Sequence, residues 1–211
     1  MRNIWVIAEK EYKHFFVSPI AYAIAFMILI IEGILFYSNI SYASLQQYAP
    51  SIQIVIGPLV TLLLFTSSAV TMRTLAEETK TGTLEILLTA PVRDWEVVVG
   101  KWLGGVLFLL TILLATWIFA IILNQVVEPG IDQGLMLANY LGLFLMSAGF
   151  LAIGVMASSF FSNQIAAFFV SLGLILGLWM IGVPAQAMGT SGGAGADLLR
   201  YLDMSEHFYS T

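Results

Sequence analysis

Cysteine is missing altogether from the 211 residues, and charged residues make up only 10% of them. The first absence removes disulfides, zinc–thiolate sites and thiol nucleophiles, and leaves the redox compartment unread. The second sets the chain apart from soluble domains, of which about 25% is charged. Histidine is almost absent too, with His14 and His207 near opposite ends. No His-Glu-x-x-His zinc helix and no phosphate-binding loop with its Gly-Lys-Ser/Thr occurs. Gly189-Thr190-Ser191-Gly192-Gly193 matches the nucleophile-elbow pattern. That pattern works only where a strand, a turn and a helix present the serine to a base, and here it lies in a glycine-rich stretch. The chain is therefore expected not to be an enzyme, to hold no metal or cofactor, and to leave any ATP and Mg to another subunit. A net charge of −5 also argues against nucleic acid as a partner.

What the chain has is apolar sequence, 59% of its residues, gathered in blocks of about twenty. Five blocks read as spanning helices, over residues 20–37, 52–72, 102–123, 135–156 and 165–183. Ser18-Pro19 supplies the start of the first, since proline fits the opening turn of a helix. Residues 1–18 are no cleavable signal, because Glu9, Lys10, Glu11, Lys13 and His14 interrupt them. Ile4, Trp5, Ala8, Tyr12, Phe15 and Phe16 instead fall at helical spacing on one face. This is expected to be a helix in the membrane interface, the alternative being a solvated leader. The predicted fold class is an all-α integral membrane protein forming one transmembrane domain over residues 1–211.

Basic residues orient it. Arg2, Lys10 and Lys13 precede the first span, and Arg73, Lys80, Arg93 and Lys101 lie in the loop 73–101, while the first-to-second and third-to-fourth loops have none. Both basic segments should face the cytoplasm, which leaves the tail 184–211 outside. There Asp197, Asp203 and Glu206 add to the outer acids Glu128 and Asp132. Gly100 and Gly104 are four apart, as are Gly173 and Gly177, and such pairs serve either ordinary helix packing or a dimer seam.

Glu32 is the one ionisable residue clearly inside a span, where function is the default suspicion. With the span ending at Tyr37, two readings stay open: a pathway or gating role, and an interhelical hydrogen bond. The hydroxyls of Thr61, Thr66, Ser67, Ser68 and Thr71 in the second span are weak evidence of a polar path, because such groups often bond to their own backbone.

The loop 73–101 holds nine charged side chains. Within it Thr83, Leu84, Leu87 and Leu88 give a short helix an apolar side, with Glu85 opposite, Gly82 allowing the turn into it and Pro91 ending it. A loop needs no leucine stripe unless lipid or protein covers it. This stretch, from Glu77-Glu78 through Gly82-Thr83-Leu84-Glu85 and the pair Leu87-Leu88 to Pro91, resembles the coupling helix of type-2 ABC exporter permeases. Glu11-Tyr12-Lys13, Phe15-Phe16, Ser18-Pro19 and Tyr22 look like the opening of the gliding-motility-associated branch. The resemblance implies a permease in the cell inner membrane that pairs with a second copy or paralogue and binds two cytosolic ABC ATPase subunits. By position it implies that Gly82, Thr83, Leu84, Glu85, Leu87 and Leu88 meet the ATPase, with Glu77 and Glu78 flanking the contact. It also implies six spans, so a sixth is expected beyond the five in this sequence. A membrane scaffold that recruits a cytosolic partner is the alternative. A secondary transporter ranks third, since it would need more charged or broken helices near the midplane.

Overall fold

The computed structural model describes residues 2–82 and 92–181, together with Tyr201. These residues form seven helices and no strand: α1 Arg2–Val17, α2 Pro19–Gln46, α3 Gln53–Thr71, α4 Ala76–Thr81, α5 Asp94–Val126, α6 Gln133–Ser159 and α7 Gln164–Trp179. The protein is an all-helical integral membrane protein. Four helical stretches are long and apolar enough to cross a membrane, namely α2, α3 continued through α4, α5 and α6. The fifth expected span is apolar but stops at Trp179 after 16 residues, about 24 Å.

Two other boundaries differ from expectation. The first span continues past Tyr37 to Gln46, through what reads as a polar connection. Ser38 makes this possible by donating its hydroxyl to the Ile34 carbonyl at 2.8 Å, so that its polar group is spent inside the helix. The helix ends at Gln47, which adopts φ 55°. The third span begins at Asp94, well before Trp102. Its first turn closes through the Glu96 carboxylate, which accepts from the Arg93 backbone N–H at 3.1 Å.

Side chains and loops from neighbouring segments fix the remaining ends. Asp132 accepts from the N–H groups of Gly134 and Leu135 and so caps α6, and Asn163 caps α7 through Ile165. α3 sits inside the bundle against α2, α5, α6 and α7, and its Val55, Leu59, Leu63 and Val70 are buried. Lipid tails are as apolar as leucine, so close packing rather than exclusion of water holds such helices together. Gly154 illustrates this: a Cβ there would collide with the side chain of Thr71. The α3 hydroxyls serve the same end, since Thr66, Ser68 and Thr71 donate to carbonyls of their own helix.

α1 packs chiefly on α5. Asn3 donates to Glu96 at 3.2 Å, Ile7 covers Gly100, Glu11 covers Gly104, and the Phe15 ring stacks on Phe108 with centroids 4.8 Å apart. Each partner lies 93 positions further along the chain, so α1 runs beside the head of α5 in the same direction. Gly100 and Gly104 are what permit the approach: a Cβ at Gly104 would stand 2.5 Å from Glu11 Cβ and 3.1 Å from the Ala8 carbonyl. This pair of glycines serves packing within the chain. The buried face of α1 includes Ala8, Tyr12, Phe15 and Phe16, whereas Trp5 is turned outward with Val6, Lys10 and Lys13.

Candidate functional site: the junction of α1, α4 and α5

α4 begins where α3 ends, and it carries Glu77 and Glu78 in its first turn. Neither Leu75 nor Ala76 has a local side-chain cap. The Ser158 hydroxyl of α6 accepts from both of their N–H groups instead, at 3.2 and 3.0 Å. An element far away in sequence thus fixes where α4 starts. Gly82 ends α4 with φ 71°, a left-handed conformation that glycine adopts at little cost. The chain therefore turns at the residue immediately before 83–91.

Lys101 organises the junction. Its side chain is 4% exposed, and its Nζ donates at 2.8 Å to Glu11 of α1 and at 2.8 Å to Glu78 of α4. A buried ammonium is tolerable only when carboxylates surround it this closely. The triad ties three helices at one point, immediately before α5 turns fully apolar. The next residue, Trp102, donates its indole N–H to the Ala148 carbonyl of α6 at 2.9 Å. α4 is thus held to the bundle through Ser158 of α6 and Lys101 of α5.

Of the residues singled out from sequence, Glu77, Glu78 and Gly82 gather at this junction. Glu78 accepts from Lys101. Thr83, Leu84, Glu85, Leu87 and Leu88 lie outside the described residues, as do residues 189–193. Glu11, Lys101 and Ser158 were not singled out. Lys101 registered only as a cytoplasmic charge, and a contact spanning 90 positions leaves no local pattern to find.

Glu32 is remote from the junction, on α2. The extension of that helix to Gln46 changes its place in the helix: it stands thirteen positions after Pro19 and fourteen before Gln46. It therefore lies about 20 Å from either end of the helix. It is fully buried, and neither carboxyl oxygen has a hydrogen-bond partner among the described residues. Among the described residues no interhelical hydrogen bond to Glu32 is present. Among the described residues there is no cluster of His, Asp and Glu suited to a metal ion.

Residues 5–203 match the family described as ABC-2 family transporter protein. The chain belongs to that family. It is accordingly a multi-pass membrane permease component of an ABC transporter, a transport component and not itself a catalytic one. Membership implies that the permease associates with ABC ATPases and with the bilayer. No curated protein matches the sequence.

Proposed function

We propose that this ABC-2 permease is the membrane subunit of an ATP-driven exporter and takes its power stroke through residues 77–90. The observation that carries the reading is the Lys101 triad. It joins α4, the element leading directly into 83–91, to α1 and α5, so that a push on the segment after Gly82 reaches two further helices through buried contacts. The leucines Leu84, Leu87 and Leu88 dock on a cytosolic ATPase, with Gly82 and Thr83 presenting them and Glu85 beside the groove. ATP and Mg are held by that partner. Two permease copies or paralogues work together, and the N-terminus faces the cytoplasm of a cell whose inner membrane holds the complex. The opening of the chain, from Glu11 to Tyr22, supports placing it in the gliding-motility-associated branch.

Closure of the ATPase pair would move the segment after Gly82 and rock α1 and α5 with it, favouring one of two arrangements of the bundle through differential contacts. Glu32, buried midway along α2 and without a hydrogen-bond partner among the described residues, belongs to the path or the gate. The test is extraction in a mild detergent from the native membrane: a cytosolic ATPase should copurify with the wild-type chain, and its consistent absence would favour a membrane scaffold.

A further inference from the structure

The ladder of backbone hydrogen bonds along residues 53–81 breaks between α3 and α4. A continuous helix would have the N–H groups of Leu75 and Ala76 donate to the carbonyls of Thr71 and Met72. They go instead to the Ser158 hydroxyl of α6, at 3.2 and 3.0 Å. Thr74 donates to Thr71, and the helical pattern returns with Glu77 on Arg73 and Thr79 on Leu75. A side chain inserted into the ladder is one of the few causes of a sharp bend in a helix. Ser158 stands one turn after Gly154, whose lack of a side chain admits Thr71. One face of α6 thus holds the last turn of α3 through Gly154 and the start of α4 through Ser158.

The base of α4 is buried and its tip is not: Leu75 is 6% and Ala76 0% exposed, whereas Thr79 to Gly82 face outward. Its two tethers differ in kind. One hydroxyl oxygen accepting two N–H groups fixes a point and leaves the direction of the helix free, because it imposes no axis as a carbonyl ladder does. The ion pair of Glu78 with Lys101 fixes the direction. Along α4, Glu78 stands about 3 Å and Gly82 about 9 Å beyond Ala76. A displacement at Gly82 therefore reaches Glu78 reduced about threefold. Roughly 3 Å at the tip moves Glu78 by ~1 Å, which takes an ion pair of 2.8 Å past the ~3.2 Å limit of a good hydrogen bond. Space adjoins the break in two places. A cleft of about 310 Å³ separates α4 from Lys10 and His14 of α1, and one of about 410 Å³ lies behind Leu75 against Val98, Trp102 and Val155.

We propose that residues 72–75 form a hinge whose pivot is the Ser158 hydroxyl and whose catch is the ion pair of Lys101 with Glu78. α4 swings as a short lever about its buried base while α3 and α6 keep their places. Short strokes at Gly82 pass to Lys101, and longer ones release it. Ser158 is then a positioning residue: it sets where the lever turns and touches neither the ATPase nor the cargo. The hinge is a property of this chain alone, and its use in transport rests on the reading of residues 77–90 given above.

The experiment places nitroxide pairs in this cysteine-free chain, purified in lipid nanodiscs, and reads their separations by pulsed electron spin resonance. One pair joins Lys80→Cys, on the exposed tip of α4, to Leu45→Cys at the far end of α2; a reference pair joins Phe160→Cys, just after α6, to the same Leu45→Cys. Both pairs should give one narrow distribution in the otherwise wild-type chain. In Lys101→Met/Glu11→Gln/Glu78→Gln, which removes the catch without leaving an unpaired charge, the α4 pair should at least double in width and the reference pair stay narrow. Ser158→Ala should broaden the α4 pair likewise and speed amide hydrogen exchange over residues 72–82 by about tenfold or more. Ser158→Thr, which keeps the hydroxyl, should match the wild type in both measurements. An α4 pair that stays narrow in the triple variant and in Ser158→Ala would make α3 and α4 one rigid element and overturn the hinge. Equal broadening of both pairs would overturn it too, since the whole end of the bundle would then be loosening. The spectra are read on the chain alone, so they decide the hinge whether or not an ATPase copurifies. With the ATPase bound, Ser158→Ala should still copurify but stimulate hydrolysis several-fold less than Ser158→Thr, and equal stimulation by the two would remove Ser158 from force transmission.

Discussion

At Lys101 a single side chain carries more of the architecture than any of the leucines around it. Its burial between two carboxylates means that removing it takes away the cation that Glu11 and Glu78 share. Breaking a buried pair in this way costs ~3–5 kcal/mol, whereas removing all its members together costs far less. Lys101→Met should therefore lower the melting temperature of the purified chain sharply, and Lys101→Met combined with Glu11→Gln and Glu78→Gln should recover most of the loss. A triple variant no better than the single one would remove the triad from this account. The glycines give a paired prediction. Gly104→Ala must push α1 away from α5, because Glu11 Cβ and the Ala8 carbonyl already occupy the space, while Gly173 has nothing within 4 Å. Gly173→Ala should then be neutral or stabilising by up to ~1 kcal/mol through helix propensity, and Gly104→Ala should destabilise; thermal unfolding of both variants compares them directly. Among the described residues Glu32 makes no hydrogen bond that a substitution could break, so Glu32→Gln should leave expression and melting unchanged. If Glu32 serves the path, the same variant should lower transport-coupled ATP hydrolysis.

Among the elements, α4 and the turn at Gly82 connect the membrane part to the segment proposed to meet the ATPase. The direction of that connection depends on topology. Single cysteines introduced into this cysteine-free chain test it with an impermeant thiol reagent. Thr81→Cys should be protected from the outside and Ser51→Cys labelled there; labelling of Thr81→Cys from outside would reverse the orientation. Much of this level was legible in the sequence. Pro19 does open α2, and the apolar blocks do form helices, because composition and length alone decide whether a segment can satisfy its backbone in lipid. Helix ends were less legible. Ser38 reads as a loop residue until its hydroxyl is seen returning to Ile34, and Asp94 reads as part of a loop until Glu96 closes the first turn of α5. The site was legible only in part. Glu78 and Gly82 stand out within their own segment, but Lys101 takes its meaning from Glu11, 90 positions away, and Ser158 from an N-terminus on another helix. Such long-range pairs have no period, so no local pattern announces them.

For the whole molecule, the apolar surface is consistent with a protein that lives in lipid and beside partners. α2 turns Phe26, Ile30, Ile34 and Tyr37 outward, and α7 exposes Ile165 and Phe169. These faces need no further explanation in a bilayer. The polar junction at one end of the bundle does, and transmission of force from an ATPase is the role proposed for it. The most direct measurement is ATP hydrolysis by the partner ATPase, reconstituted in vesicles with either the wild-type permease or Leu84→Ala/Leu88→Ala. Each leucine buried in a groove contributes ~1.5–3 kcal/mol, so losing two should abolish a working contact. Neither residue lies in an expected spanning segment, so membrane insertion should be the same for both proteins. The account predicts that the wild type stimulates hydrolysis and that the double variant inserts normally but neither copurifies with the ATPase nor stimulates it. Equal copurification and equal stimulated hydrolysis by the two proteins would contradict it.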